Sequence, residues 1–281
     1  MNHRIGVCSW SLRAASAAEL VERVQRCGLD AVQLALDPIR RGDWPEKEAI
    51  DHLRRAGISI LSGMMAPAGE DYTTLDTIRV TGGVRSDEHW PANLVAARAN
   101  AYLAEQLGIK LVTFHGGFLS NNPRDPLRAV MLDRLRGIAD AFASKGIAVA
   151  LESGQEGADS LLAVLAELDR PSVGVNFDPA NIILYGVGEP VAALRKLAPH
   201  VKQVHIKDAI PTARPGTWGR ETVVGEGAVN WRGIFDVISS DLPQVNLVIE
   251  REARQERLDD IRAAHRLIME HLARPSETVH G

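Results

Sequence analysis

Four short apolar runs in this chain end in residues that can hold a cation: ALE closing on Glu152, NFD on Asp178, QVH on His205 and VIE on Glu250. Three carboxylates brought together in a partly dry pocket repel one another, and an ionised group there is expensive without a counter-charge. A divalent cation supplies one, and three oxygen donors with one imidazole suit Mn²⁺, Mg²⁺ or Co²⁺ better than a metal that selects thiolates. The competing use of the same acids is a salt-bridge network neutralised by Lys207 and Arg251. A single acid at a strand end is ordinarily structural; four ligand-type residues at four successive strand ends favour a site.

Convergence of those four residues requires a particular scaffold, and the chain carries its marks. One phrase recurs: a helical pattern, then glycine, then Leu or Ile, then a short apolar run, at Gly28-Leu29, Gly57-Ile58, Gly108-Ile109 and Gly146-Ile147. Glycine just past a helix end tolerates the left-handed conformation that stops the helix. The run that follows is too short for a helix and reads as a buried parallel strand. Further strands are IGVCSW, SVGVNFD, VKQVHIKD and VNLVIER. Helical patterns fall between them: Ser16 to Cys27, a helix opening at Pro45, and residues 92–107, 125–144, 158–168, 189–198, 231–240 and 255–272. Eight strands alternating with eight helices predict a single-domain α/β (β/α)8 TIM barrel over residues 1–273, with 274–281 as a flexible tail. An open doubly wound sheet would show a glycine-rich first turn, and CSWSLRAAS stands there instead.

In such a barrel chemistry gathers at the carboxyl ends of the strands, which in order are Trp10, Gln33, Met64, His115, Glu152, Asp178, His205 and Glu250. Strands five to eight become neighbours on closure. Trp10 is a candidate wall of the pocket. His115 precedes Gly116-Gly117, a pair that would let a ligand approach the backbone closely. Asn181 is either a substrate hydrogen-bonder or a loop residue, and Lys207, on the same strand face as His205, either touches substrate or bridges to Glu250. Gln155 and Glu156 are pocket-loop candidates, and Asp208 reads as an orienting or turn residue. Gly225-x-Gly227 is too short to count as a phosphate cradle. Two long connections, 66–91 and 209–230, leave strand carboxyl ends and are expected to act as binding loops.

Composition narrows the partners. The 281 residues are 45% hydrophobic and 24% charged, and 32 basic residues face 36 acidic ones for a formal net charge of -4. That balance argues against a nucleic-acid surface. No apolar run reaches the ~18–20 residues of a bilayer span, and the strand pattern starts too early for a leader, so a cytoplasmic address is expected. Cys8 and Cys27 lack metal or redox spacing and read as buried thiols. Barrels of this size commonly form homodimers through helices or loops, and nothing in the sequence fixes a stoichiometry.

The motifs HGG (115–117), LESG (151–154), FDPAN (177–181), HIKD (205–208), GEGAVNW (225–231) and IER (249–251) resemble those of the sugar phosphate isomerase/epimerase group with the xylose-isomerase-like TIM barrel, over roughly residues 4 to 272. The resemblance to keto-sugar 3-epimerases implies that Glu152, Asp178, His205 and Glu250 hold one divalent metal, Mn²⁺ foremost, and that Glu152 and Glu250 are the acid–base pair. It implies a carbohydrate substrate that forms an enediolate, with Trp10, His115, Gln155, Asn181 and Lys207 as substrate contacts. Return of the proton to the opposite face gives an epimerase, return to the neighbouring carbon an isomerase, and a β leaving group a lyase or dehydratase. Where those epimerases often carry histidine, this chain has Asn181. Abasic-site endonucleases of the endonuclease IV type need extra histidines for three zinc ions; Asn181 replaces one, and the 209–230 loop offers no Asp-x-His pair. A non-catalytic sugar-binding barrel is the other alternative. Lys207, Arg214, Arg220 and Arg251 could reach a phosphate, yet no arrangement among them specifies one.

Overall fold

A computed structural model describes residues 3–273, and the segment expected as a tail, 274–281, lies outside the described residues. Seven barrel strands come first: β1 (Ile5–Cys8), β2 (Ala31–Ala35), β3 (Ser59–Met64), β4 (Leu111–Phe114), β5 (Ala148–Glu152), β6 (Val173–Phe177) and β7 (Val201–Ile206). A two-stranded antiparallel ribbon, β8 (Asp208–Ile210) with β9 (Arg220–Thr222), precedes the last barrel strand, β10 (Asn246–Ile249). The parallel barrel closes in the order β1-β10-β7-β6-β5-β4-β3-β2, with Gly6 of β1 opposite Val248 of β10. This is the (β/α)8 barrel that the repeated αβ join predicts. The four join glycines all take the left-handed conformation, at φ between 66° and 70°, which a side chain would resist.

The expected helices form with ends displaced by one to three residues; the helix at 158–168 coincides with its expected span (Ala158–Leu168). Their apolar stripes meet the outward strand residues: Leu34, Phe114, Val149, Phe177, Ile206 and Ile249 are almost wholly buried against helix residues such as Leu20, Val24, Ile138, Phe142 and Ile238. The long connections are more structured than their Gly and Pro content suggests. The first contains a helix, Leu75–Thr81, whose N-cap Thr74 accepts from the Thr77 amide, and the second forms the β8–β9 ribbon. No helix of the described residues is long and apolar enough to cross a membrane.

Gln33 stands in the middle of β2 rather than at its end, because the strand continues to Ala35. That position puts it in an unusually polar barrel interior. Gln33, Ser62, Thr113, Asn176 and Gln203 all have no exposed surface, where branched apolar side chains usually fill a barrel. Each satisfies its neighbours: Gln33 Nε2 donates to Thr113 Oγ1 (2.7 Å), Ser62 Oγ to Gln203 Oε1 (2.6 Å), and Gln203 Nε2 to both Gln33 Oε1 (3.0 Å) and Asn176 Oδ1 (3.1 Å). A buried network of this kind is stable only when complete. Gln203→Leu removes the acceptor of Ser62 and a donor to two amide oxygens, and is expected to lower unfolding free energy by about 2–4 kcal/mol. Urea denaturation of the purified variant measures it; a loss under about 0.5 kcal/mol would mean the network is not held through Gln203.

Candidate metal centre

Above this interior, neighbouring strands deliver the four ligand-type residues. Glu152 ends β5, Asp178 follows β6, His205 lies on β7 and Glu250 follows β10, and β5, β6, β7 and β10 are consecutive around the barrel. All four are at most 4% exposed. One donor atom from each falls within 4.8 Å of the others. His205 Nδ1 is 3.3 Å from Glu250 Oε2, 3.7 Å from Glu152 Oε1 and 3.8 Å from Asp178 Oδ2. The sequence-predicted cluster therefore assembles within reach of a single ion.

Each member is held from behind. Nε2 of His205 is 2.7 Å from Gln33 Oε1; an amide oxygen only accepts, which assigns a proton to Nε2 and makes Nδ1, turned toward the carboxylates, the nitrogen an ion would take once its own proton is lost. Asp178 Oδ1 accepts from the Ala180 and Asn181 amides and caps the helix Pro179–Tyr185, while its buried Oδ2 has no hydrogen-bond partner among the described residues. Glu152 Oε1 accepts from Asn181 Nδ2 (2.9 Å). Glu250 accepts from Trp10 Nε1 through Oε1 (2.8 Å) and from Lys207 Nζ through Oε2 (2.9 Å). Gly154 sits at φ 125°, and a Cβ there would stand 2.3 Å from Cβ of Asn181, so the glycine of LESG allows Asn181 to reach Glu152.

The electrostatics of the protein alone leave positive charge wanting. Burial raises the Glu152 pKa; His115 and His205 pull it down, the Glu250 and Asp178 carboxylates push it up, and it ends above the usual range. Burial acts the same way on Glu250, but Lys207 and His205 outweigh it and hold that carboxyl well below the usual range. Burial opposes the imidazolium of His205, yet the Glu250 and Glu152 carboxylates outweigh it and raise the pKa well above 6.5. An orphaned buried oxygen, a ring nitrogen aimed at the carboxylates and crowded acids fit a divalent ion with oxygen-rich coordination. Cys8 faces the other ring nitrogen at 3.8 Å, and burial keeps its thiol protonated. Both cysteines are free and buried, as their spacing suggests.

A cavity of about 530 Å³ opens over the cluster, lined by Trp10, His115, Glu152, Asn181, Lys207 and Glu250 among others. His115 Nε2 lies 3.9 Å from Glu152 Oε2. Burial lowers the His115 pKa, but Glu152 and Glu70 more than reverse that. Gln155 and Glu156 line a neighbouring cavity of about 420 Å³ instead, with Arg79 and Arg85. Burial lifts the Glu156 carboxyl to about 7, against the Leu119 amide and Arg128. Gly116 and Gly117 serve a different purpose from the one their types suggest. Cβ atoms at Gly83 or Gly117 would stand 2.3 Å from the backbone of Gly116 or Gly82, so the pair admits another loop, not a ligand. Lys207 bridges Glu250 and Glu252. Asp208 touches no metal-type ligand and gathers the amides of the 225–229 loop.

Several wall residues escape sequence reading: Glu70 and Tyr72 from the first long loop, Trp218 and Glu221 from the second, and Asp37 after β2. Loop length is their only signal. Gln33 has a better one, an amide in the middle of an apolar run.

The profile of the xylose isomerase-like TIM barrel family matches residues 21–271. A crystal structure of a xylose isomerase domain protein from Planctomyces limnophilus is similar with a TM-score of 0.85 and 28% identity, covering 96% of each chain. The apo 3-keto-D-glucoside 4-epimerase YcjR of Escherichia coli has the same fold, at a TM-score of 0.71 and 16% identity over 95% of this chain and all (100%) of that one. The uncharacterized protein YihM of Escherichia coli K12 is 28% identical over 148 residues, 51% of this chain; the match spans less than half, 44%, of that protein.

Two outcomes are expected from the site's electrostatics. Mn²⁺ at about 100 times its Kd should stabilise the protein by about 2.7 kcal/mol. Asp178→Asn should abolish that shift in thermal melts, and because His205 must shed a proton, affinity should climb by up to about tenfold per pH unit on the acid side. An unshifted melt would remove the metal centre. Glu156 has a folded pKa of about 7 against an ordinary 4.5, so its favourable contribution is complete below 4.5 and disappears as pH rises through 7. Glu156→Gln should flatten the stability–pH curve across that window by on the order of 2 kcal/mol; a curve parallel to wild type would show that this carboxyl titrates normally.

Proposed function

The chain belongs to the xylose isomerase-like TIM barrel family, and on that premise we propose that it is a divalent-metal-dependent isomerase or epimerase of a sugar or keto-sugar. The single observation that carries the proposal is the assembly of Glu152, Asp178, His205 and Glu250, one donor atom each, within 4.8 Å. Support from outside the chain is the shared fold with a 3-keto-glucoside epimerase. Mn²⁺ is the first choice, with Mg²⁺ or Co²⁺ as alternatives for the same donors.

Glu152, Asp178, His205 and Glu250 would hold the ion, which when bound would supply Lewis acidity that lowers the cost of removing a proton beside a carbonyl. The protein's own groups do the rest. Glu250 is fixed by Trp10 and Lys207 in a setting that favours its ionised form, and acts as the base. Glu152, whose orientation Asn181 fixes through Oε1, returns a proton from the other side of the reacting carbon. His115, on the same cavity wall, lies near enough to Glu152 to orient a substrate hydroxyl between them.

Metal-loaded protein incubated with ketoses and keto-glycosides in deuterated water should place deuterium on the carbon beside the carbonyl, and NMR of the products identifies epimer, isomer or elimination product. Glu152→Gln and Glu250→Gln should each slow exchange by about 10²–10⁴-fold with unchanged circular dichroism. Full exchange in either variant would remove that residue from the acid–base pair.

A further inference from the structure

We propose that the substrate is uncharged away from its reacting end, a free ketose, cyclitol ketone or oxidised glycoside and not a sugar phosphate or sugar acid. The inference rests on the carbohydrate assignment above and selects among the substrates it leaves open.

In (β/α)8 barrels a phosphate commonly sits on backbone N–H groups of the loops after strands seven and eight. Here both places are filled by the protein's own carboxylates. After β7, the amides of Gly225 (2.9 Å), Gly227 (3.2 Å) and Val229 (3.1 Å) and the indole N–H of Trp231 (2.9 Å) all donate to Asp208. The fit is close: a Cβ at Gly227 would stand 2.0 Å from Asp208 Oδ1. After β10, the amides of Glu252 (2.9 Å) and Ala253 (3.0 Å) donate to Glu221. A phosphoryl group would have to displace the buried Asp208 carboxylate or the half-buried, ion-paired Glu221 carboxylate to use either set of donors.

The cations are committed as well. Among the described residues that line the cavity, Lys207 is the only lysine or arginine, and its ammonium donates to Glu250 (2.9 Å) and Glu252 (2.8 Å). Arg251 turns its guanidinium onto Glu221 (2.7 Å) and Asp260 (2.8 Å). Arg214 and Arg220 are exposed and outside the lining. The other walls add a further acid, Glu70, which would repel a phosphate dianion, while the charge of Asp37 is already offset by Arg40 at 2.8 Å. The remaining walls are Trp10, Tyr72, Leu184, Tyr185 and Trp218, apolar and aromatic surfaces of the kind that cover the C–H faces of a neutral sugar.

Saturation-transfer NMR and calorimetry on Mn²⁺-loaded protein test this with a panel of ketohexoses, an inosose and methyl 3-keto-glucosides, set beside the 1- and 6-phosphates of the same ketohexoses. At least one uncharged compound is expected to bind, with every phosphate about 30-fold weaker or worse. Glu252→Gln, which relieves one carboxylate from Lys207, is expected to narrow that gap about three- to tenfold. Phosphates that bind as tightly as the uncharged compounds overturn the inference, and so does a panel in which nothing binds. Deuterium exchange read in the same samples reports on the chemistry independently: uncharged ligands that bind without exchange leave the charge preference standing and defeat the enolising activity.

Discussion

Three carboxylates and an imidazole converge within 4.8 Å in a buried rim, and the rest of the upper barrel is organised around making that arrangement tolerable. Lys207 neutralises one side of it through Glu250. The other side is relieved less closely: His115 and His205 stand 3.9 and 3.7 Å from Glu152, and Lys207 stands 3.9 Å from Asp178 Oδ2, which accepts no hydrogen bond among the described residues. A buried charge cluster that the protein leaves unbalanced is costly, and an ion that balances it gains the corresponding stabilisation on binding. The same imbalance thus weakens the metal-free fold and gives the site its affinity.

The polar barrel interior follows from that constraint. A ligand imidazole must present one defined nitrogen, and the Gln33 oxygen at 2.7 Å specifies which. Gln33 in turn needs its own amide fixed, which Thr113 and Gln203 do, and Gln203 needs Ser62 and Asn176. The chain of requirements runs across the barrel from β4 to β7 and ends only where every donor has an acceptor. An apolar filling would be cheaper to desolvate, but it could not hold the tautomer. Ligand geometry is therefore set several residues away from the ligands.

Periodicity and strand-end residue types make most of this legible in the chain itself. The four αβ joins announce their left-handed glycines, and Glu152, Asp178, His205 and Glu250 each follow a short run rich in valine, leucine or isoleucine that reads as a buried strand. What escapes has weaker local signals. Gln33 reads as a strand end because nothing in AVQLAL marks where pairing stops. Gly116-Gly117 looks ligand-facing because a sequence cannot show that Gly82-Gly83, more than thirty residues earlier, packs onto it. Gln155 follows Glu152 so closely that the two are expected to share a pocket, yet the turn through Gly154 carries it into the adjoining cavity. Contacts between distant loops have no periodicity to betray them.

Those loops are held by a common device. Asp37 accepts from the Ala66 amide, Glu70 from Gly83, Glu156 from Leu119, Asp208 from Gly225, Gly227 and Val229, and Glu221 from Glu252 and Ala253. Backbone that leaves a strand must find partners for its N–H groups, and around this barrel mouth acids supply them. A carboxylate with several amide donors is a stronger clasp than a neutral acceptor, which explains how connections rich in Gly and Pro become fixed walls. The desolvation they suffer is visible at Glu70 and Glu156, whose pKa values burial raises. A mouth built this way is acidic before any substrate arrives, and it is the fixing of its loops, as much as the metal ligands, that makes it so.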